Sequence, residues 1–196
     1  IAHEGLYRTI DGGKNWARVF SGDVRAVAVD PKDGKTVYVG TEPVHLYTSR
    51  DQGDHWEEVH ALLQLPENVK KKWWFPRPPH HGHVRHIFID PKNREVIYLA
   101  LEHGGIVRTL DGGKNWQDIS HGIDYLDIHF VTDFPDDPSL FFASTARGFY
   151  RSCDPDGGWE RAENGLSKQF CYNIVFFAGT PTVMLVATGD GSPAYW

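Results

Sequence analysis

The sequence has no run of about 18 apolar residues, so it offers no membrane-spanning helix. It also has no amphipathic stretch of helical length, which argues against a helical bundle. Two cysteines, Cys153 and Cys171, are too few for a disulfide scaffold or a four-thiolate zinc site, although they suffice for one bridge. A basic excess is missing as well: 20 Lys and Arg against 26 Asp and Glu leave a formal charge of -6. That balance argues against a nucleic-acid partner, which needs a basic face. The single basic run, Lys70, Lys71 and Lys72, reads as a solvated loop. No secretory leader stands at Ile1, and the compartment of this soluble chain stays open between cytoplasmic and extracytoplasmic. What is present is a 40% hydrophobic and 13% aromatic composition over 196 residues, enough for an ordinary core.

The chain repeats itself. Thr9-Ile10-Asp11-Gly12-Gly13-Lys14-Asn15-Trp16 recurs as Thr109-Leu110-Asp111-Gly112-Gly113-Lys114-Asn115-Trp116, and Ser49, Asp51, Gly53 and Trp56 keep the same spacing. A fourth copy keeps Ser152, Asp154 and Trp159 but places Asp156 where the others have glycine, and its turn is expected to be distorted. Each residue has a role in a tight turn between strands. The carboxylate and hydroxyl accept backbone N–H groups, the glycine takes positive φ, and the Trp folds back as an apolar plug. A motif present in every unit cannot line one site everywhere, so these residues read as structural rather than catalytic. A calcium loop would need further carboxylates that the motif lacks.

Between the repeated turns lie short strands rich in β-branched and aromatic residues, broken by Asp-Pro and Gly turns. Val24 to Asp30, Thr36 to Thr41, His45 to Thr48 and Trp56 to Val59 make one set of four, and two further sets follow. The fold expected is all-β, a β-propeller of four-stranded blades, with about four blades' worth of chain. Its parts are a half blade 1–23, a blade 24–60, an insert loop 61–83, blades 84–120 and 121–163, and a half blade 164–196. The two halves either close a small ring or belong to a larger propeller, since an open blade would leave an exposed sheet edge.

The boxes, the preceding "GLYRT" and "GIVRT" strands, and the segments "VRAVAVDPKDGKTVYVGTE" and "VRHIFIDPKNREVIYLALE" resemble the BNR or Asp-box repeat propellers along essentially the whole chain. The likeness extends to bacterial and archaeal repeat proteins described as glycosyl-hydrolase-like or sortilin-like. At motif level it extends to sialidases, xyloglucanases, sortilin ectodomains and a photosystem II assembly factor. These do different things, so the resemblance implies a fold and leaves function open. The sialidase pattern implies an Arg-Ile-Pro segment and three substrate-gripping arginines, which the sequence does not supply. The xyloglucanase pattern implies two aspartates across a groove, which match no motif here.

Propeller topology puts the loops after each second strand opposite the Asp boxes. Glu4, Glu42 and Glu102 fall there, with Arg25 and Arg85 just inside consecutive first strands. Asp127 and Asn173 are read as the equivalents of those arginines, and Asp190 lies in the last loop. About 20 extra residues between His60 and Val84 carry Trp73, Trp74, Phe75, Arg77, His80, His81 and His83 to the same face, where aromatic rings suit sugars or peptides. Ligand binding is therefore expected at Arg25, Glu42, Trp73, Trp74, Arg77, His80, His83, Arg85, Glu102 and His103. The opposing reading makes the Trp pair a hydrophobic cap. No cofactor is expected; a divalent metal at His80, His81, His83, His86 and His103 is the alternative to a hydrogen-bonded or solvated cluster, and no H-E-x-x-H element supports it. The leading expectation is a non-catalytic binding or scaffold propeller for carbohydrate or extended peptide. The alternatives are a glycoside hydrolase using Glu42 and Glu102, and a structural module that assembles into an oligomer or fibre.

Overall fold

The computed structural model describes residues 5–177, 179 and 182–191. It is all-β. A two-stranded hairpin, β1 (Leu6–Arg8) and β2 (Ala17–Phe20), precedes three four-stranded antiparallel sheets. The first sheet holds β3 (Val24–Val29), β4 (Val37–Thr41), β5 (Leu46–Ser49) and β6 (Glu57–Glu58). The second holds β7 (His83–Ile89), β8 (Ile97–Glu102), β9 (Gly105–Thr109) and β10 (Gln117–Asp118). The third holds β11 (Ile128–Phe134), β12 (Asp137–Thr145), β13 (Gly148–Ser152) and β14 (Glu160–Arg161), and the pair β15 (Phe170–Phe177) and β16 (Val183–Gly189) follows.

Every sheet is ordered as the chain runs, each strand pairing with the next, because short turns leave no room for crossovers. Consecutive sheets stack through their apolar faces, and the core forms three layers between them. Leu46, Val84, Ile87 and Leu99 fill the first layer, Tyr98, Ile106, Val131 and Tyr150 the second, and Phe142, Phe149, Cys171 and Ile174 the third. First strands lie innermost and contact one another from sheet to sheet.

The repeated turns satisfy their own polar groups. Thr109 Oγ1 donates to Asp111 Oδ1 at 2.8 Å and accepts from the Gly113 N–H at 2.9 Å, while Asp111 accepts from the backbone and side chain of Asn115 at 2.9 and 2.7 Å. The Thr9–Asp11–Asn15 and Ser49–Asp51–His55 turns reproduce the pattern. The donated bonds, led by the Asn15 and Asn115 side chains, hold Asp11 and Asp111 at about 2. Gly113 needs its φ of 92°, in the left-handed region that favours glycine. Trp56 and Trp159 reach back to donate to the Val19 and Ile119 carbonyls of the preceding sheet, both at 2.8 Å. In the fourth turn Gly158 takes the positive φ, at 122°, and Ser152 Oγ donates to its carbonyl at 2.6 Å. Asp156 turns outward and accepts from Arg108 and Gln117 of the neighbouring sheet.

Two expectations need correction, and the pairing of the cysteines, left open by the sequence, is answered. The lysine run is not a free loop: His60–Gln64 forms a 3-10 turn and Glu67–Lys70 a short helix, α1, with Lys70 paired to Glu67 and Lys72 to Asp118. Leu62, Leu65 and Val69 are buried in the first core layer, and that burial folds the segment. The cysteines do not pair; Cys153 is exposed and Cys171 is buried. The third equivalence shifts by two residues. The pairs Val24 with Thr41, Val84 with Leu101 and Ile128 with Thr145 precede a bulge in each first strand, so His129, not Asp127, follows at the position of Arg25 and Arg85.

Candidate functional site

The strand ends opposite the repeated turns carry the charge. The β4–β5 and β8–β9 connections, the starts of the first strands and the insert all meet there, because antiparallel order returns them to the same edge. Arg25 pairs with Glu42 at 2.7 Å and with Asp23 at 2.9 Å. His83, 7% exposed, lies between the two glutamates, with Nδ1 at 3.5 Å from Glu42 and Nε2 at 3.0 Å from Glu102. Arg85 adds a contact to Glu102 at 3.5 Å. Farther along, Asp127 stands at 3.5 Å from His103 Nε2 and 3.4 Å from His129 Nε2. A row of carboxylates alternating with arginines and imidazoles thus crosses three sheets.

His83, Asp127 and His129 of the row are buried, whereas Arg25 and Arg85 are exposed. Burial opposes ionisation of Glu102, but the His83 hydrogen bond and the charges of His83, Arg85 and His129 overcome it and hold the carboxyl at about 2. Burial likewise opposes charge on His129. The Asp127 and Cys171 carbonyl bonds and the charges of Asp127 and Glu102 outweigh it and raise the imidazole above its ordinary value. His129 Nδ1 lies 2.5 Å from the Cys171 carbonyl oxygen.

Beside this row opens a cleft of about 920 Å³. Phe75, Pro76 and Arg77 of the insert form one wall, Tyr125, Ala146 and Arg147 another, and Lys168, Phe170 and Asp190 the far side, with Glu102, His103, Asp127 and His129 at its base. Arg147 stacks over Tyr125 at 4.3 Å, and Phe75 meets His103 edge-on at 4.9 Å. Lys168 pairs with Asp190.

The residues expected from sequence divide. Arg77, Glu102 and His103 line the cleft; Glu42, His83, Arg25 and Arg85 belong to the charged row beside it. Trp73 does not face the cleft. It packs into the first core layer close to Gly104, where a Cβ would stand 2.9 Å from the indole, so the glycine is required. Trp74, 55% exposed, stacks parallel on His80 at 5.3 Å, outside the cleft walls. The five candidate metal histidines do not converge. His80 and His81 are exposed, and His86 is stacked on Phe130 between sheets, where burial lowers it to about 4. Glu4 lies outside the described residues. Among those described, the group able to hold a metal is Glu102, Asp127 and His129, whose ligand atoms lie within 4.8 Å of one another. The sequence reading missed His129, Tyr125, Arg147 and Phe170. His129 could have been found from the bulge that aligns it with Arg25 and Arg85.

No protein-family profile matches the chain. A curated probable oligoxyloglucan-reducing end-specific xyloglucanase of Neosartorya fischeri is 27% identical over 192 residues, covering 91% of this chain and 22% of that protein. A GH74 enzyme of Niastella koreensis superposes with a TM-score of 0.70 at 17% identity, over 96% of this chain and 30% of the other. YCF48 bound to D1 peptide gives 0.58 at 21% identity, over 94% and 57%. The fold is that of a β-propeller. The chain spans about a fifth of the curated relative's length, and the distant likeness is to a carbohydrate-active family. Among the described residues no helix is long and apolar enough to cross a membrane.

Proposed function

We propose that the cleft between Phe75, Tyr125 and Phe170 binds an oligosaccharide, on a propeller whose blades are the three four-stranded sheets, each with an Asp-box turn of the BNR type between its third and fourth strands. In this reading 24–60, 84–120 and 121–163 are blades, 1–23 and 164–196 are half blades, and 61–83 is a functional insert. The carrying observation is the cleft itself: the half-buried rings of Phe75, Tyr125 and Phe170 line it together with Arg77, Arg147, Lys168, Asp190 and Glu102. Rings cover the apolar C–H faces of a sugar while charged and polar groups bond its hydroxyls, and a volume of about 920 Å³ accommodates a few sugar units. The xyloglucanase-named relative supports the same ligand class.

Hydrolysis is the second reading, and that relative's name favours it. It requires one carboxyl protonated at working pH to act as general acid. Glu102, held at about 2, is ionised under ordinary conditions, and His83 occupies the space between it and Glu42. Glu42 and Glu102 therefore fit a charged platform better than an acid–base pair. Titration of the full chain with xyloglucan oligosaccharides and with an extended peptide, alongside product chromatography, tests the proposal. Binding of the saccharide that weakens about tenfold or more in Tyr125→Ala, with no cleavage products, is the expected result. Unchanged affinity in Tyr125→Ala and Phe75→Ala overturns the cleft as the site, peptide binding without sugar binding overturns the ligand class, and product formation establishes the hydrolase.

A further inference from the structure

We propose that Glu102, Asp127 and His129, with His103 as a neighbouring donor, bind a divalent transition cation of the zinc or manganese class at the base of the cleft. The three donors come from two adjacent sheets. Glu102 closes β8, Asp127 stands just before β11 and His129 lies inside it, so the backbone of two packed strands fixes their spacing. Their ligand atoms already lie within 4.8 Å of one another. Zinc–oxygen and zinc–nitrogen bonds of about 2.0 to 2.2 Å need donors only somewhat closer, within reach of side-chain rotation.

Two observations independent of that clustering point to a cation. The first concerns the tautomer of His129. A carbonyl oxygen can only accept, so the 2.5 Å contact to Cys171 requires the proton on Nδ1. The lone pair of the neutral ring is then at Nε2, the atom facing Asp127 at 3.4 Å. A histidine whose far nitrogen is tied to a backbone carbonyl is the usual arrangement for a metal ligand, because that bond fixes the ring and raises its basicity. The second is Asp127. It is 8% exposed, and its buried Oδ1 forms no hydrogen bond, the facing His129 Nε2 standing 3.4 Å away. Carboxylate oxygens removed from water are ordinarily bonded, and an ion supplies what the protein does not.

The donor set selects the class. Two carboxylates and one or two imidazoles suit borderline first-row ions, whereas an all-oxygen calcium or magnesium site has no use for the imidazole and a copper(I) site favours sulfur. His83, 3.0 Å from Glu102, supplies the outer contact that orients that carboxylate. Three protein ligands leave a position open toward the cleft, for water or a ligand hydroxyl. This inference does not depend on the oligosaccharide reading, since a cation would bind here whatever enters above it.

Competition titration of the chelator-stripped full chain with Zn²⁺, Mn²⁺ and Ca²⁺ is the test. One equivalent of Zn²⁺ or Mn²⁺ is expected, weakened about tenfold or more by Asp127→Asn and by Glu102→Gln, and unchanged by His80→Ala/His81→Ala. Retained binding in both carboxylate variants, loss in the exposed-histidine variant, or tighter binding of Ca²⁺ than of Zn²⁺ overturns the assignment. Where Asp127→Asn fails to fold by circular dichroism, the unmutated chain loaded with Co²⁺ decides. X-ray absorption showing oxygen ligands with one or two imidazoles supports the site, and a sphere without imidazole overturns it. Because the readout is metal alone, its failure leaves oligosaccharide binding untouched.

Discussion

The two ends of the strands solve the same electrostatic problem in opposite ways. In three of the four repeated turns the carboxylate is satisfied within five residues of itself, by N–H groups and an amide or imidazole side chain of its own loop. At the other end Glu42 and Glu102 find partners on neighbouring strands of their own sheet and, through His83, between sheets, at 2.7 to 3.5 Å; Asp127 lies between His103 and His129, and some buried atoms such as His83 Nδ1 and Asp127 Oδ1 find no hydrogen-bond partner. A polar group that its own loop satisfies contributes to stability and has nothing left to offer a ligand. One that is held in place but left incompletely bonded is ready to accept a visitor.

Breaking the self-contained end should damage stability in proportion to burial. Trp159, 5% exposed and bonded to the previous sheet, should lose about 3–5 kcal/mol on substitution by Ala in urea unfolding. Trp16, 61% exposed, should lose far less in Trp16→Ala, and similar losses at both sites would refute burial as the cause.

Next in size is a pH effect from between the sheets. Burial lowers His86 from 6.5 to about 4, so the unfolded chain binds the extra proton first. Stability from this group is complete above about 6.5 and falls as pH drops toward 4, by about 3 kcal/mol over that window. His86→Phe should flatten the loss, as measured by unfolding midpoints at pH 7 and 4.5. An identical pH slope in the variant would assign the acid sensitivity elsewhere.

A smaller effect separates the hydroxyl from the rest of the turn. Thr109→Val leaves the buried Gly113 N–H without its acceptor and should cost about 1–3 kcal/mol. Oligosaccharide affinity should stay within about twofold, because the turn lies at the far end of the strand from the cleft. A large affinity change would erase the division between the two ends.

The same division explains what could be read from sequence. The turns were legible because their chemistry is local: hydroxyl, acid, glycine and Trp must recur at fixed spacing for the bonds to close. Strand order followed, since β-branched alternation and short turns permit little else. Glu42, Glu102, Arg25 and Arg85 were legible through their repeat positions. Asp127 and His129 were only half legible, because the third unit has Ala146 where the others have Glu42 and Glu102, and its strand register is set by a bulge. Tyr125, Arg147 and Phe170 reach the cleft through long-range packing that no local spacing encodes. The same is true of Trp73, an apparent sugar platform that is instead drawn into the core, and of α1, too short to leave a periodic trace.

The backward bonds from Trp56 to Val19 and from Trp159 to Ile119 give the first and third four-stranded sheets a fastening to the one before, whereas Trp116 bonds within its own turn. A unit that carries both its closure and its latch can be copied or deleted as a cassette, with its neighbours needing no redesign. Drift in sequence then falls to the open ends of the strands, where one lineage of such cassettes can acquire a new binding face while its turns hardly change.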